Sequence, residues 1–304
     1  MGTDDASGAS ASKTMHLMVK SVLRRFDRRF TRGTLGLLKR AAQSDAFRRA
    51  LHIYRMSRRP VFIGGCGRSG TTLVLSLLSA HPDLYAILYE TQAFTPGPYP
   101  PEEDTGRPFE FFRAYTALLN APESVETYQR WCEKTPGNIH YAERILDYFG
   151  KGARFIHVVR DGRAVVTSRH QYHAPNQYWV TPERWVRDVE AGRGVEEHPQ
   201  VLTVRYEDII TDHMAVMQSI CTFLGEPFAQ EAFENYPETA KTLKERNGED
   251  KPPRPIRATS QGRWKEEEHE ERAAQLLSIP KARDHLTHYG YQDAPHDAEE
   301  IRVR

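Results

Sequence analysis

Four groups of residues in this chain have the types and spacing to hold an anion and move a group from it. The first is Gly65-Cys66-Gly67-Arg68-Ser69-Gly70-Thr71-Thr72, which follows the apolar run Pro60–Ile63 and opens an apolar stretch ending near Leu78. A strand that turns through glycines into a helix start aims backbone N–H groups at an anion. The nucleotide-hydrolase form of such a loop reads G-x-x-x-x-G-K-[ST]. Here Thr71 occupies the lysine position and the cation has moved to Arg68, which suits an anion handled without magnesium–triphosphate apparatus. A turn that needs glycine only for its backbone leaves the clustering of Arg68, Ser69, Thr71 and Thr72, all donors, unexplained. In the second group, the apolar run Arg154–Val159 ends at Arg160, Asp161-Gly162 turns the chain, and Ser168 is expected two turns into the following helix. A planar guanidinium and a hydroxyl there suit a second phosphate, although an Arg160–Asp161 surface pair would use the same residues. The third group is Trp131-Cys132-Glu133-Lys134-Thr135-Pro136, with Lys134 as a further cation. The fourth is Leu88-Tyr89-Glu90-Thr91, where a strand-end carboxylate could take a proton. The histidines at 81, 140, 157, 170 and 173 are alternative bases; His81, before Pro82, reads as a turn residue and His157 as a strand residue. Cys66 reads as a small packed side chain.

The elements that must position these groups alternate. Strands are expected at Pro60–Ile63, Leu84–Tyr89, Arg154–Val159 and Gln200–Tyr206. Helices are expected at Thr72–Ala80, Pro108–Leu119, Ile139–Tyr148, Gly162–His170, Pro182–Glu190 and Met214–Leu224. Short β-rich runs separated by amphipathic helices imply βαβ units, hence an α/β fold: a central parallel sheet flanked by helices in three layers. Phe94–Arg107 and Glu245–Gln261, rich in proline or polar residues, read as surface loops over the carboxyl edge of the sheet, where such folds bind ligands.

The loop, the E-K-T-P segment, V-R-D-G-R-A-V-x-x-S at 159–168 and Arg257-Ala258-Thr259-Ser260-Gln261-Gly262-Arg263-Trp264-Lys265 occur in this order. Together they resemble the sulfotransferases that use 3′-phosphoadenosine 5′-phosphosulfate (PAPS), over roughly residues 60–290. The resemblance implies a P-loop-type fold and sulfuryl transfer from PAPS to an acceptor hydroxyl, leaving 3′-phosphoadenosine 5′-phosphate (PAP). It implies that Gly67, Arg68, Ser69, Gly70, Thr71 and Thr72 cradle the 5′-phosphosulfate, and that Arg160 and Ser168 grip the 3′-phosphate. The segment 257–265 is similar to the R-K-G-x-x-G-x-W-K of cytosolic members, but Ala258-Thr259 replaces Lys-Gly. On this likeness Arg257, Gly262, Arg263 and Trp264 join the donor-binding set, with Trp264 equally readable as a core anchor. Val204-Arg205-Tyr206-Glu207-Asp208 resembles the family's Y-E-D strand end, so Tyr206 either lines the nucleotide site or packs. A sulfuryl group carries less negative charge than a phosphoryl group, so the resemblance implies no metal, and no Walker-B carboxylate stands out. Cytosolic members carry K-T-H; here Lys134-Thr135-Pro136 puts proline in the histidine slot. Glu90, 18 residues after Thr72, resembles the glutamate base of the tyrosylprotein and heparan branches. Glu90, Arg68 and Lys134 are therefore the catalytic candidates. The motifs leave the acceptor open among a glycan, a lipid-linked group, a small molecule and a tyrosine phenol. Segments Thr91–Arg130 and His170–Trp185, with His170, Tyr172, His173, Tyr178, Trp179 and Trp185, are expected to shape its pocket. The alternatives are a P-loop nucleotide kinase or phosphotransferase, which would want lysine at 71 and a magnesium site, and a non-catalytic membrane-associated nucleotide-binding protein.

The 304 residues carry a formal net charge of +1 and 39% apolar residues, an ordinary soluble composition. Three cysteines without C-x-x-C spacing argue against a disulfide framework or a zinc site. No apolar run reaches the roughly 20 residues of a membrane span, and no secretory signal pattern opens the chain, so a cytoplasmic location is expected. Residues 1–14 read as a disordered start and 293–304 as a polar tail, around a catalytic domain at 60–292. Between start and domain, residues 15–59 hold thirteen Lys and Arg against Asp27 and Asp45. Val19, Val22, Leu23, Phe26 and Phe30 fall there at helical spacing. Such a helical extension either lies on an anionic membrane surface or packs its apolar stripe on the domain. An acidic remainder without an aromatic-interleaved basic groove excludes nucleic-acid binding from this reading.

Overall fold

The computed structural model describes residues 52–96, 107–121, 127–169, 177–244, 250–256 and 262–291. Five strands form one parallel sheet in the order β2-β3-β1-β4-β5. They are β1 (Pro60–Gly64), β2 (Leu84–Ala86), β3 (Arg130–Lys134), β4 (Arg154–Val159) and β5 (Val201–Arg205). The central strands read as continuous buried runs, as strands covered on both faces must.

Strand alternation sorts their side chains into two cores. Phe62, Trp131 and Phe155 face one side with α2 (Phe111–Leu119) and α3 (Ala142–Phe149). There Phe62 meets Phe94 edge-on at 4.9 Å and Trp131 at 5.7 Å. Val61, Ile63, Cys132, Ile156 and Val158 face the other side with α1 (Thr71–Ser79) and α7 (His213–Leu224). Each such side chain, fully buried, contributes roughly 1.5–3 kcal/mol. A third cluster lies beside the sheet's carboxyl edge. It joins Cys66 and Val159 to α4 (Gly162–Val166), α5 (Pro182–Arg193), α9 (Glu270–Leu277) and α10 (Pro280–His288). The layered parallel α/β architecture is the expected one.

Several boundaries differ from expectation. β3 was not among the expected strands, because its sequence Arg-Trp-Cys-Glu-Lys hides an inner strand behind three charges. All five residues are buried. Arg130 reaches the carbonyls of Arg59, Leu224 and Gly152 and the Glu226 carboxylate. Burial and the nearby Arg59 lower its guanidinium pKa to about 10. β2 ends at Ala86, three residues early. Tyr206 is not a strand end: the extended Arg205 caps it as the first residue of α6 (Tyr206–Thr211). The helix expected over Gly162–His170 stops at Val166, so Ser168 is not inside it. Thr167 turns its hydroxyl back onto the Arg163 carbonyl, and the chain reverses so that Arg169 bridges Tyr178. Helix α2 starts three residues after Pro108, and Pro136–Tyr141 is a 3-10 segment ahead of α3. Helices α6, α8 (Gln230–Glu234), α9 and α10 were not expected. In α10 only Ala282, His285 and Leu286 are buried, too thin a stripe to read. Phe94, expected to open a surface loop, is core, and Trp185 is core rather than acceptor pocket, fully buried against Gly162. The rest of the loops at 97–106, 245–249 and 257–261 lies outside the described residues. So does most of the basic segment, whose last residues place Ile53 and Met56 in the core beside Trp131.

Candidate active site

In the order β2-β3-β1-β4-β5 the chain leaves β1 towards β2 and leaves β4 towards β5, which opens a crevice at the carboxyl ends of the two neighbours. The loop after β1 sits there. Gly65, at φ 142°, lies so close to β4 that a Cβ would be 2.3 Å from the Val158 carbonyl oxygen, and its N–H donates to the Pro136 carbonyl. Gly70, at φ 97°, leaves no room either: a Cβ would stand 2.4 Å from the Tyr206 ring. Between them Arg68 holds the left-handed region at φ 72° without glycine's freedom. No side chain among the described residues caps the first turn of α1 and no acid lies in it, and this turn opens at the carboxyl end of β1, beside the crevice. Thr71 is buried and Thr72 exposed at that turn. Ser69 is buried and its hydroxyl has no hydrogen-bond partner among the described residues.

Arg160, at the end of β4, donates from Nη1 to the Arg68 carbonyl at 3.0 Å and lies over the Tyr206 ring at 4.2 Å. Its buried Nε has no partner among the described residues. Arg68 in turn donates from Nε to the Ser168 hydroxyl at 2.8 Å. Arg160, Tyr206, Gly262 and Trp264 line one open cleft with Asp161, Ala164 and Glu207. Trp264 is half-buried under the Arg163 guanidinium at 4.0 Å, so it is a wall of the cleft and not a core anchor. Arg263 points away towards Glu266 and is 63% exposed. Arg257, His170, Tyr172 and His173 lie outside the described residues. Asp161, which follows Arg160, caps α4 at the Arg163 N–H and pairs with the Arg163 guanidinium.

Two strands away, the ends of β2 and β3 bring the other candidates together. Lys134 Nζ meets Glu90 Oε1 at 2.5 Å, with the lysine side chain 7% exposed and the glutamate 38%. Sequence reasoning passed over Glu133, which is fully buried and held by four hydrogen bonds from Thr91, Thr135 and Asn138. Burial raises its carboxyl pKa, while the Thr135, Asn138 and Thr91 bonds pull it back. Reasoning also missed Arg184, and it assigned Trp179 to the acceptor pocket without placing it beside the loop. Arg184 Nη2 and Trp179 Nε1 would lie 3.3 and 3.7 Å from a Cβ on Gly67, which places both beside the loop. Their signal was T-P-E-R-W, a proline-started helix after an aromatic pair, which says nothing about direction. The histidines at 81, 140 and 157 are structural. His81 bonds the Pro227 carbonyl and His140 the buried Asp188. His157 is buried in β4, where desolvation lowers its pKa to about 4. Cys66 is buried, and burial together with Asp188 pushes its thiol pKa well up, so it is no nucleophile.

The description "sulfotransferase family" fits the profile that matches residues 60–230, more than half of the chain. The chain belongs to the sulfotransferase family. A protein-tyrosine sulfotransferase from Drosophila melanogaster is 23% identical over 243 residues, covering 70% of this chain and 48% of that protein. The chain thus spans about half the length of this curated relative. Among solved structures, the sulfotransferase domain of an olefin synthase from Synechococcus PCC 7002 is 22% identical with a TM-score of 0.43. The match covers 72% of this chain and 94% of that one. A mouse sulfotransferase complexed with PAP is 14% identical with a TM-score of 0.48, covering 76% and 89%. No helix among the described residues is long and apolar enough to cross a membrane.

Proposed function

We propose that this sulfotransferase moves the sulfuryl group of PAPS to an acceptor hydroxyl by in-line displacement. The observation that carries the reading is the Glu90–Lys134 pair at 2.5 Å, a base and a cation at the edge of the loop crevice. The buried Ser69 hydroxyl, the uncapped start of α1 and the unpartnered Arg160 Nε suit a doubly anionic donor. PAPS supplies the activated sulfuryl group and a phosphate leaving group. The residues of the loop from Gly67 to Thr72 hold the 5′-phosphosulfate through N–H and O–H donors. Arg160 and Ser168 hold the 3′-phosphate, Tyr206 and Trp264 flank the nucleotide, and Gly262 closes the cleft. Lys134 and Arg68 offset the charge that develops on the leaving oxygen. Glu90 takes the acceptor proton once Lys134 turns to the donor. No metal is part of this reading, since a transferring sulfuryl group carries less negative charge than a phosphoryl group.

The acceptor is a small molecule, a glycan, a lipid-linked group or a protein tyrosine. Trp179, 46% exposed beside Gly67, and Tyr89, next to Glu90, offer it aromatic walls. Incubation with PAPS carrying labelled sulfate against phenols, sugars and lipid-linked alcohols, in the presence of EDTA, tests the reading. Labelled sulfate ester is the expected product. Phosphoryl transfer from ATP–magnesium, with no sulfate ester, would replace this reading with the phosphotransferase one.

A further inference from the structure

Glu133 has no part in the chemistry above, yet it sits between the two residues that do. It precedes Lys134 in β3, and strand alternation sends the two side chains to opposite faces of the sheet. Lys134 goes to Glu90; Glu133 goes to the turn that follows Glu90. Its Oε1 accepts from the Thr91 N–H at 3.2 Å, the Thr91 hydroxyl at 2.9 Å and the Thr135 hydroxyl at 2.6 Å. Its Oε2 accepts from Asn138 Nδ2 at 2.7 Å.

The directions of these bonds are set by a second layer. The Thr91 hydroxyl accepts from the Ala93 N–H and the Thr135 hydroxyl accepts from the Gln92 N–H. Each hydroxyl has one proton, and with a lone pair already engaged by an N–H that proton points at Glu133. One carboxylate therefore gathers residues 91–93 and 135–138 into a single unit. The turn so gathered is not one the chain would adopt unaided, since Gln92 is held at φ 53°. A buried carboxylate with no basic partner in its bond set is expensive to keep, and a strand-end turn could be closed with apolar residues instead.

We propose that Glu133 is the positioning residue of the site: its clasp on Thr91 and Thr135 holds the Glu90 turn against the β3 end and so sets the Glu90–Lys134 contact. Its relevance to catalysis rests on the sulfotransferase reading, but its geometry does not. Lys134 reactivity reads that geometry without donor or acceptor. Acetic anhydride labelling of Lys134, followed by mass spectrometry, would be compared in wild type, Glu90→Ala, Glu133→Ala, Glu133→Gln and Thr135→Val. Glu133→Ala should raise the Lys134 rate at least fivefold, to within twofold of Glu90→Ala. Glu133→Gln keeps an amide oxygen for the same three donors and should stay within twofold of wild type. Thr135→Val keeps the carboxylate, is mild enough to fold, and should fall between. Cys221, buried on α7, should be alkylated by iodoacetamide, in a parallel reaction, no faster in any of them. Wild-type Lys134 rates in Glu133→Ala and Thr135→Val would overturn the proposal, as would a parallel rise at Cys221, which would mean general loosening. If the alanine variant does not fold, Thr135→Val and Glu133→Gln decide alone. Failure of the wild-type protein to bind PAP would remove the donor reading while leaving the clasp to stand or fall on the labelling.

Discussion

Arg68 and Arg160 are tied to each other through the Arg68 carbonyl, and Arg68 reaches on to Ser168, so the loop cation and the two residues proposed to hold the 3′-phosphate form one chain of contacts. Loss of a hydrogen bond to a charged group costs about 1.5–3 kcal/mol. Arg160→Ala should therefore weaken PAP binding by about that much, roughly 10- to 150-fold by calorimetry. A change below threefold would remove Arg160 from the donor site. Glu90 predicts the complementary pattern. Glu90→Gln keeps size and removes basicity, so kcat should fall by about 10²–10⁴, while PAP affinity stays within about twofold, since uniform binding is untouched. Unchanged turnover would transfer the base role to another group. These residues could be proposed from the sequence because Arg160 precedes a D-G turn and Glu90 stands in a motif-like segment 18 residues after Thr72. Glu133 and Arg184 were not, because Glu133 depends on Thr91, 42 residues away, and Arg184 on its approach to Gly67.

At the scale of elements, the loop depends on how closely β1, β4 and α6 approach. In Gly65→Ala the new methyl meets a backbone carbonyl, which cannot move aside as a side chain would. Gly225→Ala, at φ 68° with open space around it, carries backbone strain alone, about 1–2 kcal/mol. Urea denaturation should show the larger loss for Gly65→Ala, and equal losses would deny the close contact. The packing of β4 on α5 makes a second prediction. His157 stays neutral in the native state, with a pKa of about 4, because it is buried against Gly192. Unfolded histidine titrates near 6.5, so below that pH the unfolded chain takes up a proton that the native state refuses. Stability should therefore fall as pH drops from about 6.5 towards 4, with roughly 3 kcal/mol from this residue. Denaturation of His157→Gln at pH 7 and 4.5 should recover most of that difference; an unchanged difference would place the titrating group elsewhere. Strands β1 and β4 were readable because both faces are apolar. Strand β3 was not, since Arg130, Glu133 and Lys134 are buried by specific partners and not by hydrophobicity. The end of α4 depended on the Thr167 side chain, which a periodic pattern does not register.

Across the whole molecule, the sheet order converts sequence-distant motifs into one crevice: the loop at 65–72, the β4 end at 160 and the β3 end at 134 are neighbours only because β1 lies between β3 and β4. The fold class followed from alternating strands and helices, and the family from four motifs in register. The acceptor could not follow from either, since the walls that would choose it come from segments without a fixed motif. The claim that joins the scales is that the crevice is built for a 3′-phosphorylated nucleotide without magnesium. A ligand at 100 times its Kd stabilises the native state by about 2.7 kcal/mol, an effect thermal unfolding resolves easily. Unfolding of the full chain with PAP in EDTA, set beside ADP with magnesium at the same concentration, is the direct measurement. The account predicts a clear rise in Tm with PAP and little with ADP–magnesium. A rise with ADP–magnesium and none with PAP would contradict it.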